Sequence, residues 1–400
     1  MKTKTKNRVG LVVPHIFIHR DILPGVIFSP GQLALDLISE LQRQGNEVTL
    51  FAPGPTAADV PTITADLSYF ETELAGRGDT YLELLKKHPF TFITLARQVQ
   101  AEVIAKAYAA ANNDELDIVH IYTNEEDLAL PFANLCKKPV VFTHHDPFNF
   151  LVKYKNVFPK YKNLNWVSMS FAQRKGMPAD TRWVGNIPHG IPKDLFVPNT
   201  QPTGGYAAYL GRIIQPKGVH LAIAAIKKYN QTAEQPLTLK IAGKHYAGHA
   251  KDSYWLEQVE PLIDGKEIEY VGFINSTAEK QAFLGNAQAL IIPSLFDEPF
   301  GMVSIEALAC GTPVVGLDSG AIPEVISPHK TGILVHKKHA KDGTVNEQAT
   351  IAALAKGISQ SRLIDRHACR RDFETRFTLE RMAQAHASVY DALIRSQDPS

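Results

Sequence analysis

Apolar residues fall along this chain in two rhythms. Short unbroken runs alternate with longer stretches in which they recur every three or four positions, and the two patterns predict strands and helices respectively. Val9 to Pro14 is the first run. Leu33, Leu37, Ile38 and Leu41 then follow at helical spacing between Gly31 and Gly45, with Gly45 placed as a C-terminal stop. Val48 to Ala52 reads as the next strand, so the chain opens with a βαβ unit, which commits it to a parallel sheet covered by helices. Ile118 to Tyr122, Val140 to Thr143 and Val167 to Met169 continue the strands. Tyr81 to Ala111 is helical with a break at Pro89, and Pro53 to Gly78 reads as irregular.

Near Gly185 the pattern gives way to Gly-Asn-Ile-Pro-His-Gly-Ile-Pro, and Pro198 to Gly205 is again rich in Pro, Gly and Thr, the composition of an interdomain connection. A second αβ series follows, with strands expected at Tyr206 to Leu210, Leu237 to Ala242, Ile268 to Val271, Ala289 to Ile292, Pro313 to Leu317 and Ile333 to Val335. Ser276, with Glu279 three residues on, is a capping box opening one of the helices between them. The fold class is therefore α/β built twice. The expected domains are residues 1–192 and 193–378. A length of 400 residues is enough for a full core in each.

Charge narrows the partners. Lys plus Arg number 42 and Asp plus Glu 41, so no global field draws the chain to nucleic acid, and an anionic ligand must be bound locally. The three cysteines, Cys136, Cys310 and Cys369, form neither a disulfide framework nor a metal motif. The apolar stretch after Lys2, Lys4, Lys6 and Arg8 is short and interrupted by Pro14, His15, His19, Arg20 and Asp21, a poor signal peptide. No uncharged run approaches the roughly 20 residues that span a bilayer. The expectation is a cytoplasmic protein, soluble or at most peripheral at the inner face of the membrane.

In open parallel sheets ligands sit beyond the carboxyl ends of the strands, so motifs there count most. After Leu210 comes Gly211-Arg212-Ile213-Ile214-Gln215-Pro216-Lys217-Gly218, leading into a helix at Val219. Two cations flanking a helix N-terminus suit a diphosphate, although either alone is as often a solvated loop residue. After Ile292 comes Phe296-Asp297-Glu298-Pro299-Phe300-Gly301-Met302-Val303-Ser304-Ile305-Glu306. Glu298 falls in the loop. Glu306 falls roughly two turns into a helix that stops at Gly311, among small apolar neighbours where an unpaired carboxylate is costly. Pro24 to Gly31 is a third strand-to-helix loop, in which Gly31 permits close backbone approach, by itself a weak signal.

Histidine pairs at His15 and His19, His245 and His249, and His336 and His339 have the spacing of metal ligands but no third ligand nearby, so solvated or structural histidines are expected. Phe148 to Trp166 interleaves Lys153, Lys155, Lys160 and Lys162 with Tyr154, Phe158, Tyr161 and Trp166. This reads as a solvated face with inward aromatics ahead of a surface for acidic lipid or a phosphorylated acceptor.

The Arg212 and Lys217 pair followed by Gly218, the two glutamates around Pro299-Phe300-Gly301, and Ala309-Cys310-Gly311-Thr312-Pro313-Val314-Val315 together resemble glycosyltransferase family 4. The resemblance spans nearly the whole chain and is most specific in its second half. It implies the GT-B fold, two Rossmann-like domains facing across a cleft, with a C-terminal helix, residues 379–400, returning to the first domain. It implies a retaining hexosyltransferase that binds a UDP- or GDP-sugar and needs no metal or other cofactor. Arg212 and Lys217 would hold the donor pyrophosphate, Glu298 the sugar hydroxyls and Glu306 the ribose. Main chain at Phe300, Gly301, Met302 and Val303 would meet sugar and phosphate, and Gly243 with Val271 to Ile274, Phe273 included, would line the base. The acceptor would be a sugar, a lipid-linked group or a small molecule.

The first half departs from the family pattern. The second histidine of the family's His-x-His stands here as Tyr122, and the Asn before the hinge Gly as His189. His145, in Thr143-His144-His145-Asp146-Pro147, matches another family histidine and is the compensating candidate. Read from the residues alone, His145 with Asp146 is a general base suited to inversion; the resemblance implies retention. Two other readings stay open: an epimerase, which forms product from donor without acceptor, and a nucleotide-sugar binding protein, which binds without turnover.

Overall fold

The computed structural model describes residues 7–26, 28–123, 125–245, 252–274, 276–340 and 342–397. The chain forms two compact units. The first takes the chain to Met169, Arg174–His189 and the segment from Leu379 on; the second takes Ser170–Gln173 and Gly190–Thr378.

The first unit is a seven-stranded parallel sheet of β1 (Arg8–Val12), β2 (Glu47–Ala52), β3 (Thr62–Thr64), β4 (Ile118–Tyr122), β5 (Val140–Thr143), β6 (Asn165–Ser168) and β7 (Trp183–Asn186), in the order β3-β2-β1-β4-β5-β6-β7. Its helices are α1 (Ser29–Arg43), α2 (Ser68–Arg77), α3 (Tyr81–Lys87), α4 (Pro89–Asn112) and α5 (Val152–Val157). The apolar stripe of α1 is buried, and Gly45 follows it at a φ of 91°. Pro89 separates α3 from α4, each side supplying its own terminus: a capping box of Thr80 and Glu83 opens α3, and Pro89 itself opens α4.

The second unit is a six-stranded parallel sheet of β8 (Tyr206–Leu210), β9 (Thr238–Ala242), β10 (Ile268–Gly272), β11 (Ala289–Ile292), β12 (Val314–Leu317) and β13 (Gly332–Val335), ordered β10-β9-β8-β11-β12-β13. Around it lie α6 (Val219–Asn230), α7 (Thr277–Gly285), α8 (Met302–Ala309), α9 (Ile322–Val325), α10 (Glu347–Ser361) and α11 (Arg366–Arg376). The last helix, α12 (Leu379–Arg395), belongs to the first unit. It buries Met382, Ala383, His386, Tyr390 and Leu393 and packs on α1.

Both sheets have the doubly wound order, running outward from the first strand of the unit in both directions. The strand order reverses between β1 and β4 in one unit and between β8 and β11 in the other, which are the places where such sheets bind ligands.

Two expectations need correction. The segment Pro53 to Gly78 is not irregular: it contains β3 and α2. β3 is a three-residue, half-buried edge strand, and α2 fully buries only Phe70, so neither leaves an apolar rhythm. The unpredicted β7 is the opposite edge, half-buried throughout for the same reason. In Phe148 to Trp166 the aromatics do turn inward: Tyr154, Phe158 and Trp166 are buried, while Lys153 meets Glu125 and Asp127, each at 3.2 Å. Among the described residues no helix is long and apolar enough to cross a membrane.

Candidate functional site

In the second unit, the loops leaving β8, β9, β11 and β12 are tied to one another by main chain. Gly211 N–H donates to Ala242 O at 3.0 Å and Ile213 N–H to Lys244 O at 2.9 Å, so the loops after β8 and β9 run together. Gly243 sits in this contact at a φ of 155°, where a Cβ would lie 1.8 Å from Gly211 O. On the other side, Leu295 and Phe296 N–H both donate to Pro216 O, at 2.9 and 3.1 Å. Gly218, at a φ of 68°, opens α6 where a Cβ would lie 2.2 Å from Pro293 O. These two glycines let the loops touch.

That seam brings two of the motif side chains together. Lys217 Nζ donates to Glu298 Oε1 at 2.6 Å, with the Phe296 ring 5.5 Å below the ammonium. Glu298 is buried, and its carbonyl accepts from Ala321 N–H at 2.8 Å beside Gly320, a close approach that again excludes a Cβ. Arg212 is exposed. The buried Tyr209 hydroxyl fixes its carbonyl at 2.8 Å, and among the described residues no group partners its guanidinium. A cation held open at this rim can receive an anion with little rearrangement.

Past Pro299, Phe300 is buried against Phe377, and Gly301, at a φ of 97°, caps α8. Met302 and Val303 form the first turn, whose N–H groups have no partner inside the helix and carry the positive end of its dipole. Glu306 is buried on the same helix. Its Oε1 accepts from Lys280 Nζ at 2.7 Å, and Oε2 is buried without a partner among the described residues. Burial raises the Glu306 pKa, and Lys280 opposes that rise. A hydroxyl donor would satisfy Oε2.

Val271, near the end of β10, and Phe273, just past it, are exposed, and Ile274 is half-buried. Lys244 lies over the Phe273 ring at 4.0 Å, and Tyr270 donates to Gly243 O at 2.9 Å. The structure thus puts Arg212, Lys217, Glu298, Gly243 and the start of α8 on loops at the carboxyl edge of one sheet. Lys280 is the residue sequence reading missed: it stands 26 positions from Glu306, and no local spacing connects them.

The corresponding edge of the first unit is neutral and buried. His145, after β5, stacks on His189 with ring centroids 5.2 Å apart and meets the edge of Tyr122 at 4.6 Å. His120 bridges Tyr390 OH at 2.7 Å and Thr143 Oγ1 at 2.8 Å, and its ring lies 5.1 Å from that of His386. Burial, reinforced by the neighbouring imidazoles, holds His145 well below the usual histidine range. Burial alone pushes His189 down to about 3. The Tyr122 hydroxyl is fully buried with no partner among the described residues. Asp146 accepts from Tyr154 OH at 3.3 Å. Gly31 lies inside α1, where a Cβ would meet the Phe28 ring at 2.6 Å; the glycine makes room for that ring.

The paired histidines each have separate partners. His15 accepts from Phe17 N–H, His245 faces Asp252 at 2.9 Å and stacks on Trp255, and His336 faces Asp318 at 2.8 Å. His249 and Ile27 lie outside the described residues. Among those described, no three His, Cys, Asp or Glu side chains are grouped to hold a metal ion.

Comparison with known proteins fits this division. Residues 191–360 match the family model for Glycosyl transferases group 1, and residues 31–177 match that for Glycosyltransferase Family 4. The chain belongs to glycosyltransferase family 4. This family 4 chain is 32% identical to the glycogen synthase of Mycobacterium tuberculosis over 190 residues, 47% of this chain and 43% of that protein. It thus spans less than half the length of the first curated relatives it matches. With the phosphatidyl-myo-inositol mannosyltransferase of Mycobacterium leprae it shares 23% identity over 89% of this chain and 90% of that one.

Among solved structures, the sucrose-phosphate synthase from Thermosynechococcus elongatus superposes with a TM-score of 0.66 at 18% identity, covering 98% of this chain and 100% of that chain. Anabaena HepE in complex with UDP-glucose gives 0.63 at 17%, covering 97% and 100%. These likenesses establish the GT-B fold of two Rossmann-like domains.

Proposed function

We propose that this family 4 member is a retaining hexosyltransferase that moves a sugar from a nucleoside diphosphate donor to a hydroxyl acceptor without a metal ion. The observation that carries the reading is the 2.6 Å contact of Lys217 with Glu298 beside the open Arg212 guanidinium, at the carboxyl edge of the second sheet. One cation pair and one carboxylate on adjoining loops match the two ends of a diphosphate sugar. The UDP-glucose complex of the similar Anabaena fold supports a donor of this kind.

As the bond from the anomeric carbon to the diphosphate breaks, charge grows on the leaving oxygens. Arg212, Lys217 and the first turn of α8 neutralise it, the work a metal ion does where carboxylates hold one. The sequence has no Asp-x-Asp pair to hold such a metal. The acceptor oxygen bonds to the same face of the sugar, and its proton passes to the departing diphosphate, so no protein base is required. Glu298 orients the sugar hydroxyls and makes no covalent bond. Glu306 takes the ribose through its unpartnered Oε2, while Gly243 and Val271 to Ile274 line the base. We assign His145, neutral in its buried setting, a hydrogen bond to the donor sugar.

Anomeric proton coupling in the product tests the stereochemistry: an α-linked donor gives an α-linked product. A β-linked product would overturn retention and make His145 the leading base. Turnover also survives excess chelator, and a complete loss restored by Mn²⁺ would refute the metal-free mechanism.

A further inference from the structure

The first unit holds a second polar recess, separate from the histidine cluster. At the carboxyl ends of β1 and β2 a cavity of about 330 Å³ is lined by His19, Arg20, Asp21, Glu71, Leu74 and Tyr81. That is the low end of the roughly 300 to 1,000 Å³ range of small-molecule pockets, a size for a single ring.

Its lining is built. His19 is 5% exposed, and Gly54 makes room for its ring, since a Cβ there would fall 2.4 Å from His19 Cδ2. Arg20 N–H donates to Pro55 O at 2.8 Å, which ties this loop to the one after β2. His19 Nδ1 accepts from Asp21 N–H at 3.2 Å, so the hydrogen of the neutral imidazole sits on Nε2. Among the described residues that Nε2–H has no acceptor, although the ring is more than nine-tenths buried. Tyr81 is half-buried, with its ring 5.1 Å from Phe70 and 5.4 Å from His19, and so presents a fixed aromatic wall. Neither the Glu71 carboxylate nor the Tyr81 hydroxyl has a hydrogen bond among the described residues. The Asp21 carboxylate has only long contacts among them, to Arg20 and His19 at 3.8 and 3.7 Å.

The chemistry of this lining selects a ligand class. Two carboxylates, Glu71 without an ion pair among the described residues and Asp21 only loosely paired, oppose an anion, and Arg20 in the same wall opposes a simple cation. Acceptors and donors stand together beside an aromatic face, which suits a neutral ligand with many hydroxyls and an apolar C–H face. Carboxylates accept from adjacent hydroxyls through strong charge-assisted bonds, while Nε2–H and the guanidinium donate. We infer that this cavity binds one hexopyranose ring of the acceptor, with Asp21 and Glu71 reading its hydroxyls and Tyr81 its face. The inference rests on the glycosyltransferase reading for the word acceptor, but the sugar site stands on its own geometry.

Saturation-transfer NMR on the full-length protein tests it, using methyl α-glucopyranoside, methyl α-mannopyranoside and methyl α-galactopyranoside as probes, with UDP and GDP titrated into the same samples. At least one glycoside should bind in the millimolar range. Asp21→Asn with Glu71→Gln should weaken it at least tenfold; Tyr81→Leu should abolish it. Melting temperature and nucleotide binding should be unchanged in the Asn/Gln variant, whose side chains are exposed. Equal glycoside binding in that variant, or no glycoside signal from wild-type protein that binds a nucleotide, would overturn the inference. Glycoside binding lost in the variant, in a protein that binds neither nucleotide, would support the sugar site while refuting the donor reading.

Discussion

The two sheets share one strand order and place their motif residues at the carboxyl edge, at the reversal itself in the second sheet and one strand past it in the first, yet the two edges are opposite in character. At the β8 and β11 edge the groups are charged and half-open: Arg212 without a partner among the described residues, Lys217 on Glu298, Lys280 on Glu306. At the β4 and β5 edge they are imidazoles and phenols, buried and neutral, with His189 and His386 both pushed down to about 3 by burial. A diphosphate needs fixed cations, which stay charged only where water or a counterion reaches them. A sugar hydroxyl needs only a neutral partner, and that can be buried. Topology sets where a ligand is met; the side chains on it set which part of the ligand.

The sharpest break of this comparison is kinetic. Lys217→Ala should lower kcat about 100- to 1,000-fold, the cost of removing one transition-state charge partner, and Arg212→Ala should behave alike. His145→Gln should cost about tenfold, the upper end of the roughly 0.5 to 1.5 kcal/mol that a neutral hydrogen bond contributes. Unchanged kcat with a raised KM in Lys217→Ala would reduce it to a ground-state binding group.

Next comes the seam between the charged loops. Gly218→Ala adds both the roughly 1 to 2 kcal/mol of a left-handed backbone and a clash with Pro293 O. The melting temperature should fall by several degrees and nucleotide binding should weaken. Gly205→Ala, at a φ of 60° with nothing within 4 Å of its Cβ, supplies the backbone term alone. Equal losses in the two variants would show that the loop contact is unimportant.

Acid should separate the two units. His189 and His386 are held at about 3, and His15 and His144 at about 4, chiefly by burial. Unfolded imidazoles take up protons near 6.5, so the unfolded chain binds more protons below that pH. Stability is full above about 6.5 and falls toward pH 4, by up to about 1.4 kcal/mol per pH unit for each group. Glu126 and Asp36, both raised by burial, work in the other direction but are two groups against four. Hydrogen exchange at pH 7 and pH 5 should show protection lost in β4 to β7 and retained in β8 to β13. Uniform loss would erase the contrast.

The smallest effect is expected at Glu306. Glu306→Gln keeps the shape but gives up the charge beside Lys280, so donor affinity should fall about tenfold with kcat little changed. A wild-type affinity measured by titration would remove Glu306 from the nucleotide site.

The central strands of both sheets and the helices between them were legible in the sequence because burial on both faces leaves continuous apolar runs, as in Ala289–Ile292 and Val140–Thr143. The edge pieces β3, β7 and α2 were not, since a half-buried element carries no such rhythm. The glutamates and the Arg212 and Lys217 pair could be picked out because they stand in short segments next to strand ends. Their geometry could not: Lys217 and Glu298 are 81 positions apart, and only the parallel pairing of β8 with β11 brings their loops into contact. The same holds for Lys280 beneath Glu306 and for the imidazoles drawn from β4, the loop after β5, His189 and α12. Sequence decides what each residue can donate, accept or bury; only the folded sheet decides which of those groups lose water together, and it is that shared loss of water that moves a histidine from 6.5 to about 3.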